Sequence, residues 1–171
     1  MEGADGFYTL KGYQDNAKNE LTPAMEDYLE MICRLIEESD VVRTSELSAH
    51  LHVKPSSASK MIGQLRDAAY IDAEKYGYIR LTEKGRRAGG YLLYRHRVLQ
   101  RFLCALNQSE NQLEQVEKIE HFLDRATVEN LDALTTRLES ERRQPGGFFT
   151  KNGSEKLCDM RNGDENQVDY L

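Results

Sequence analysis

The sequence predicts a mainly α fold, α+β in class, in which helices surround one short β-hairpin. Three observations predict it. Apolar residues recur at intervals of three and four through most of residues 22–140, the period of helices buried on one face. The exception is YIDAEKYGYIRLT at 70–82, where isoleucines and tyrosines flank Gly77 as in two strands and a turn. Charge is also segregated: residues 1–40 carry net −7, 41–101 net +7, 102–141 net −6 and 142–171 zero. A basic segment between acidic flanks suggests a polyanion-binding module joined to a second one, chance clustering of surface charge being the plainer alternative.

Composition sets the bounds. The 171 residues, 39% hydrophobic, suffice for one or two small domains with a real core. No apolar run approaches the roughly 20 residues of a membrane span, so no membrane partner is expected. The polar, acidic MEGADGFYTLKGYQDN is not a secretory signal. Cys33, Cys104 and Cys158 are odd in number, far apart and form no CxxC pair, which reads as reduced thiols in a cytoplasmic protein.

The elements follow in order. Residues 1–20 lack periodicity and read as an arm, possibly disordered. Thr22 and Pro23 supply a cap and a proline at the first helical position, and Met25, Tyr28, Leu29, Ile32, Leu35 and Ile36 continue a helix over 22–38. A short helix spans 44–51, with Thr44 as its cap and Leu47 and Leu51 inward. A turn at His52, Val53 and Lys54 precedes Pro55, which opens a second short helix over 55–68. Ala58, Met61, Ile62 and Leu65 form its inner face and leave Ser56, Ser57, Ser59, Lys60 and Gln64 outside. Two short helices about a tight turn, followed directly by a hairpin, make a winged helix-turn-helix. Ser56, Ser57, Ser59, Lys60 and Gln64 would face the major groove, and Lys75, Tyr76 and Arg80 of the wing would lie near phosphate.

Thr82 then caps a long helix over 82–106, whose Gly85, Gly89 and Gly90 lower its intrinsic stability but permit close packing. Helices over 110–123 and 127–140 complete a helical second domain. The expected organisation is an arm at 1–20, a winged domain at 21–82, a helical domain at 83–144 and a tail at 145–171, where only SEKLCDM hints at a helical turn. No repeat is present.

Within VEKIEHFLD, Glu117, Glu120 and His121 stand three and four apart, on one helical face. Taken alone they read more readily as a solvated stripe than as ligands. Lys118 is badly spaced to relieve Glu117, a second acid pair, Asp27 and Glu30, lies on the first helix, and His96 offers another imidazole. Carboxylates with imidazole suit a divalent first-row metal. Enzymatic readings lack their motifs. Glu-x-x-His fails because Lys118 and Leu93 precede the histidines by three, and HExxH, a phosphate loop and a nucleophile elbow are absent. His50 and His52 read as structural or surface residues.

Together, TPAMEDYLEMICRLIEE, VKPSSASKMIGQL, EKYGYIRLTEKGR, YRH and EKIEH resemble the diphtheria-toxin-repressor family of metal-dependent regulators, and look most like its manganese transport regulator branch. The resemblance covers about residues 21–140. It implies a winged domain followed by a helical dimerisation domain, with metal ions between them. It also implies that Asp27, Glu30, His96, Glu117, Glu120 and His121 are the ligands, with two Mn2+ per subunit as the expected cofactor. Carboxylates at 27 and 120, where the iron-responsive branch has methionine and cysteine, favour manganese, while Fe2+, Zn2+ and other divalent ions stay open. The implied function is a homodimeric, metal-activated repressor on operator DNA, controlling metal uptake genes. The alternatives are an iron-responsive relative, or a winged-helix protein with a structural metal and a protein-docking surface. The family's Src-homology-like third domain finds no room after residue 144.

Overall fold

The computed structural model describes residues 21–38, 41–73 and 77–142. The expected arm, Lys75 and Tyr76 of the wing, Cys158 and the tail lie outside these. The chain forms two compact units, Met1–Arg95 and His96–Leu171.

In the first unit, α1 (Pro23–Glu38) begins as the sequence suggests: the Met25 amide donates to Thr22 Oγ1 at 3.3 Å. A strand that periodicity did not reveal follows, β1 (Val42–Arg43), because two residues are too few to show alternation. Helix α2 (Thr44–His50) is preceded by Arg43 rather than capped by Thr44, and the Arg43 amide donates to Glu46 Oε2 at 3.4 Å. The Val53 amide returns to the Ser48 carbonyl at 3.0 Å, while His52 takes a positive φ of 53°, making the tight turn into α3 (Pro55–Asp67). Strands β2 (Ile71–Ala73) and β3 (Tyr78–Leu81) form the wing, and the sheet order is β1-β3-β2, antiparallel throughout. Val42 pairs with Ile79 and Asp72 with Arg80. Leu29, Ile32, Val42, Leu47, Leu65, Ile71 and Ile79 are essentially inaccessible and form one core.

Helix α4 (Glu83–Asn107) is the long helix predicted, and the boundary between the two units falls within it. Thr82 caps it: the Gly85 amide donates to Thr82 Oγ1 at 3.0 Å. Two of its three glycines serve close packing. A Cβ on Gly85 would lie 1.9 Å from the Tyr70 carbonyl oxygen, and one on Gly89 would lie 2.0 Å from Cys33 Sγ. A Cβ on Gly90 would meet nothing within 4 Å, so close packing does not explain that residue.

In the second unit, α4 ends before Gln108, at a positive φ of 50°. Helix α5 (Leu113–Ile119) starts later than expected, and a 3-10 turn, Glu120–Phe122, replaces its last turn. Asn111 explains the start, since its Oδ1 accepts the Leu113 amide at 2.9 Å. Helix α6 (Arg125–Arg142) opens at Asp124, whose Oδ1 accepts the Thr127 amide at 2.7 Å. That backbone bond holds the Asp124 carboxyl below its usual range. Val98, Leu99, Val116 and Val128 are buried, and Arg101 spans α4 and α6 by 2.9 Å contacts to both Asp132 and Glu139. No helix among the described residues is long and apolar enough to cross a membrane.

Candidate metal centre and nucleic-acid interface

The six expected ligands divide between the units. In the second, α4 presents buried His96, α5 presents exposed Glu117, and the 3-10 turn presents Glu120, buried to 1% exposure, and half-buried His121. His96 Nδ1 lies 3.2 Å from Glu120 Oε2 and 3.8 Å from Glu117 Oε1. The spacing that placed Glu117, Glu120 and His121 on one helical face assumed an unbroken helix. The turn after Ile119 instead takes Glu120 inward and leaves Glu117 near solvent.

In the first unit, Asp27 and Glu30 both stand on α1, half-buried and buried respectively. Beside them, Glu26 pairs with Arg95 at 2.8 Å, a contact with both side chains mostly buried. Glu30 pairs with Arg34 one turn on. Arg34 was not singled out from the sequence, although its i,i+4 spacing from Glu30 was a readable signal.

These residues fit a divalent metal by their donor chemistry. Every one offers oxygen or nitrogen and none offers sulfur. A carboxylate as buried as Glu120 is costly unless a cation or a set of donors compensates it. His96 contributes one such contact, and a metal ion would satisfy the same oxygen.

The expected DNA-facing residues Ser56, Ser57, Ser59, Lys60 and Gln64 are all exposed on α3, while Ala58, Ile62 and Leu65 are buried beneath them. Arg80 is exposed on β3. A cavity of about 730 Å³ beside α3 is lined by Arg43, Ser45, Ser59, Arg66 and Tyr78 among others. Arg43 Nη2 donates to the Tyr78 hydroxyl at 2.7 Å, and its guanidinium lies 5.0 Å from the ring centroid. In the sequence, Arg43 and Arg66 carry no signal beyond their place in the basic segment.

A winged helix-turn-helix followed by a helical unit with buried carboxylate and imidazole groups is the plan of a metal-responsive transcriptional regulator, not of an enzyme. Residues 20–79 match the family profile described as iron dependent repressor, N-terminal DNA binding domain, and residues 82–144 match iron dependent repressor, metal binding and dimerisation domain. The chain belongs to the iron dependent repressor family. The HTH-type transcriptional regulator MntR of Geobacillus kaustophilus is 40% identical to it over 124 residues, 72% of this chain and 88% of that protein. MntR of Bacillus subtilis is 39% identical over 121 residues, 70% of this chain and 85% of that one. The solved structure of the manganese regulator SloR superposes with a TM-score of 0.59 at 28% identity, covering 68% of this chain and 55% of the other. A manganese-dependent transcriptional repressor in complex with manganese gives 0.57 at 30% identity, covering 66% and 52%. The chain thus spans little more than half the length of these two solved chains.

Proposed function

We propose that this protein is a manganese-responsive, homodimeric repressor that binds operator DNA when Asp27, Glu30, His96, Glu117, Glu120 and His121 hold divalent metal. The observation that carries this reading is Glu120: a carboxylate 1% exposed, 3.2 Å from the His96 imidazole, on a unit that matches a metal-binding domain. The all-oxygen-and-nitrogen set suits manganese, with selection against tighter-binding zinc left to geometry and availability. Relatives named as manganese regulators support the same metal.

A bound divalent ion would supply positive charge, and two ions would neutralise the four carboxylates. The protein's own residues supply the rest. His96 and Glu120 form a buried pair of donors, and Asp27 and Glu30 place two acids on the helix that underlies the DNA-binding core. Because the ligands come from both units, occupancy favours the arrangements of a dimer whose two α3 helices match two half-sites. Ser56, Ser57, Ser59, Lys60 and Gln64 read the major groove. Arg80, with Lys75 and Tyr76, contacts phosphate, and Arg43 and Arg66 add to those contacts. Metal uptake genes are the expected targets, and the cytoplasm is the protein's expected location.

A mobility-shift titration of the full chain tests this, using DNA selected from a random pool in the presence of manganese. Manganese should tighten binding by about 5- to 150-fold over chelator. Equal affinity in both would sink the switch. Melting of the metal-free protein separates the structural-metal alternative: a folded metal-free dimer supports regulation, and loss of the fold on chelation supports a structural ion.

A further inference from the structure

Glu30 already has a cation. Arg34 lies one turn further along α1, and its Nη2 and Nε stand 2.5 Å and 3.2 Å from the same oxygen, Oε1. The Glu30 side chain is 8% exposed, whereas Arg34 is 41% exposed and reaches in from the surface. An acid four residues before a base is the favourable order for a helical pair. Burial adds to the need, since a desolvated carboxylate calls for a partner.

We propose that Arg34 is an internal counter-cation for Glu30, which holds the carboxylate in the metal-free protein and competes with a divalent ion for it. The inference rests on the reading of Glu30 as a metal ligand. If Glu30 donates to a metal ion while Arg34 stays on Oε1, two cations share one carboxylate and repel each other. If Arg34 swings out to solvent, its ion pair and hydrogen bonds are lost. Both routes weaken metal binding relative to a chain with a neutral side chain at 34. Arg34 therefore raises the metal concentration at which the protein responds. In the metal-free protein it relieves the repulsion that acids on α1 would otherwise suffer. It is a tuning residue outside the ligand set.

The test uses manganese alone as the probe, titrated calorimetrically into the full, metal-free chain without DNA. Arg34→Met keeps the side-chain stem and removes the charge, and should bind manganese about fivefold tighter. Arg34→Lys keeps the charge and should stay within about twofold of the parent. A merely structural role would not produce this split between Met and Lys. The metal-free Arg34→Met protein should also melt at a lower temperature than the parent. Glu30→Gln should weaken manganese binding at least about tenfold, and in that background Arg34→Met should change nothing further. If Glu30→Gln weakens binding but Arg34→Met does not tighten it, the inference is overturned and the ligand reading stands. If Glu30→Gln leaves affinity unchanged, Glu30 is no ligand and both are overturned.

Discussion

The two units are held together by different chemistry. The first gathers fifteen buried apolar residues of α1, β1, α2, α3, the wing and α4 into one cluster. Among the described residues, the second buries only Val98, Leu99, Val116 and Val128, alongside His96, Glu120 and Thr135, and leaves Leu106, Leu113 and Phe122 exposed. A unit with an apolar core of this size gains most of its stability from burial, although it also buries Glu30 and Arg95. A unit that buries a carboxylate and an imidazole gives up some of that stability for groups that respond to cations. The contrast places the larger apolar core in the unit that matches the DNA-binding domain, and four of the six proposed metal donors in the other.

The largest expected effects attack the tight contacts of the first unit. Gly85→Ala drives a Cβ into a backbone carbonyl and should lower unfolding free energy by about 3 kcal/mol. Gly90→Ala, with open space, should raise it by up to about 1 kcal/mol through helix propensity. Urea denaturation measures both, and the same sign at the two positions would break the account of this core. A Cβ on Gly89 would clash only with the Cys33 sulfur, its other neighbours lying at ordinary contact distance, so Cys33→Ala should recover much of the loss in Gly89→Ala, a rescue unavailable to Gly85→Ala.

At the proposed metal ligands, which come from both units, the expected effects are on response more than on fold. Asp27→Met with Glu120→Cys should move the metal preference from manganese towards iron, read as DNA affinity against each metal. An unchanged preference would show that these positions do not set it. Arg101→Ala removes contacts to Asp132 and Glu139 at a partly exposed site and should cost about 0.5–1 kcal/mol in thermal melts.

The smallest effect is chemical. Burial first, then Glu30 and Glu37, pushes the Cys33 thiol from 9.0 up to about 12. Thiol reagents near pH 8 should therefore modify half-buried Cys104 and spare Cys33 until the protein unfolds. Because the folded pKa is raised, this group's contribution to stability is complete below pH 9 and is lost between pH 9 and about 12.

Much of this was legible in the sequence. Helices α1, α3 and α4 carry long apolar periods, with Thr22 and Thr82 capping α1 and α4 and Pro55 opening α3, and the exposed face of α3 follows from the burial of Ala58, Ile62 and Leu65. The illegible parts depend on contacts distant in sequence or on short elements. Strand β1 exists because Val42 and Arg43 pair with Ile79 and Tyr78, some 36 residues away. The break after Ile119 was hidden because apolar spacing continues through Leu123, while Asp124 commits its side chain to the next helix. At the candidate metal site, donor types were readable from the motifs. The depth of Glu120 and the hold of Arg34 on Glu30 were not, since both are properties of side-chain placement.

The most direct test of the central claim is the DNA affinity of the parent chain and of Glu120→Gln, each measured by fluorescence anisotropy with and without manganese. The account predicts that manganese tightens the parent's binding and leaves the variant at the parent's metal-free affinity, with both proteins equally folded by circular dichroism. A folded Glu120→Gln protein that still gains the parent's full affinity on adding manganese would contradict it.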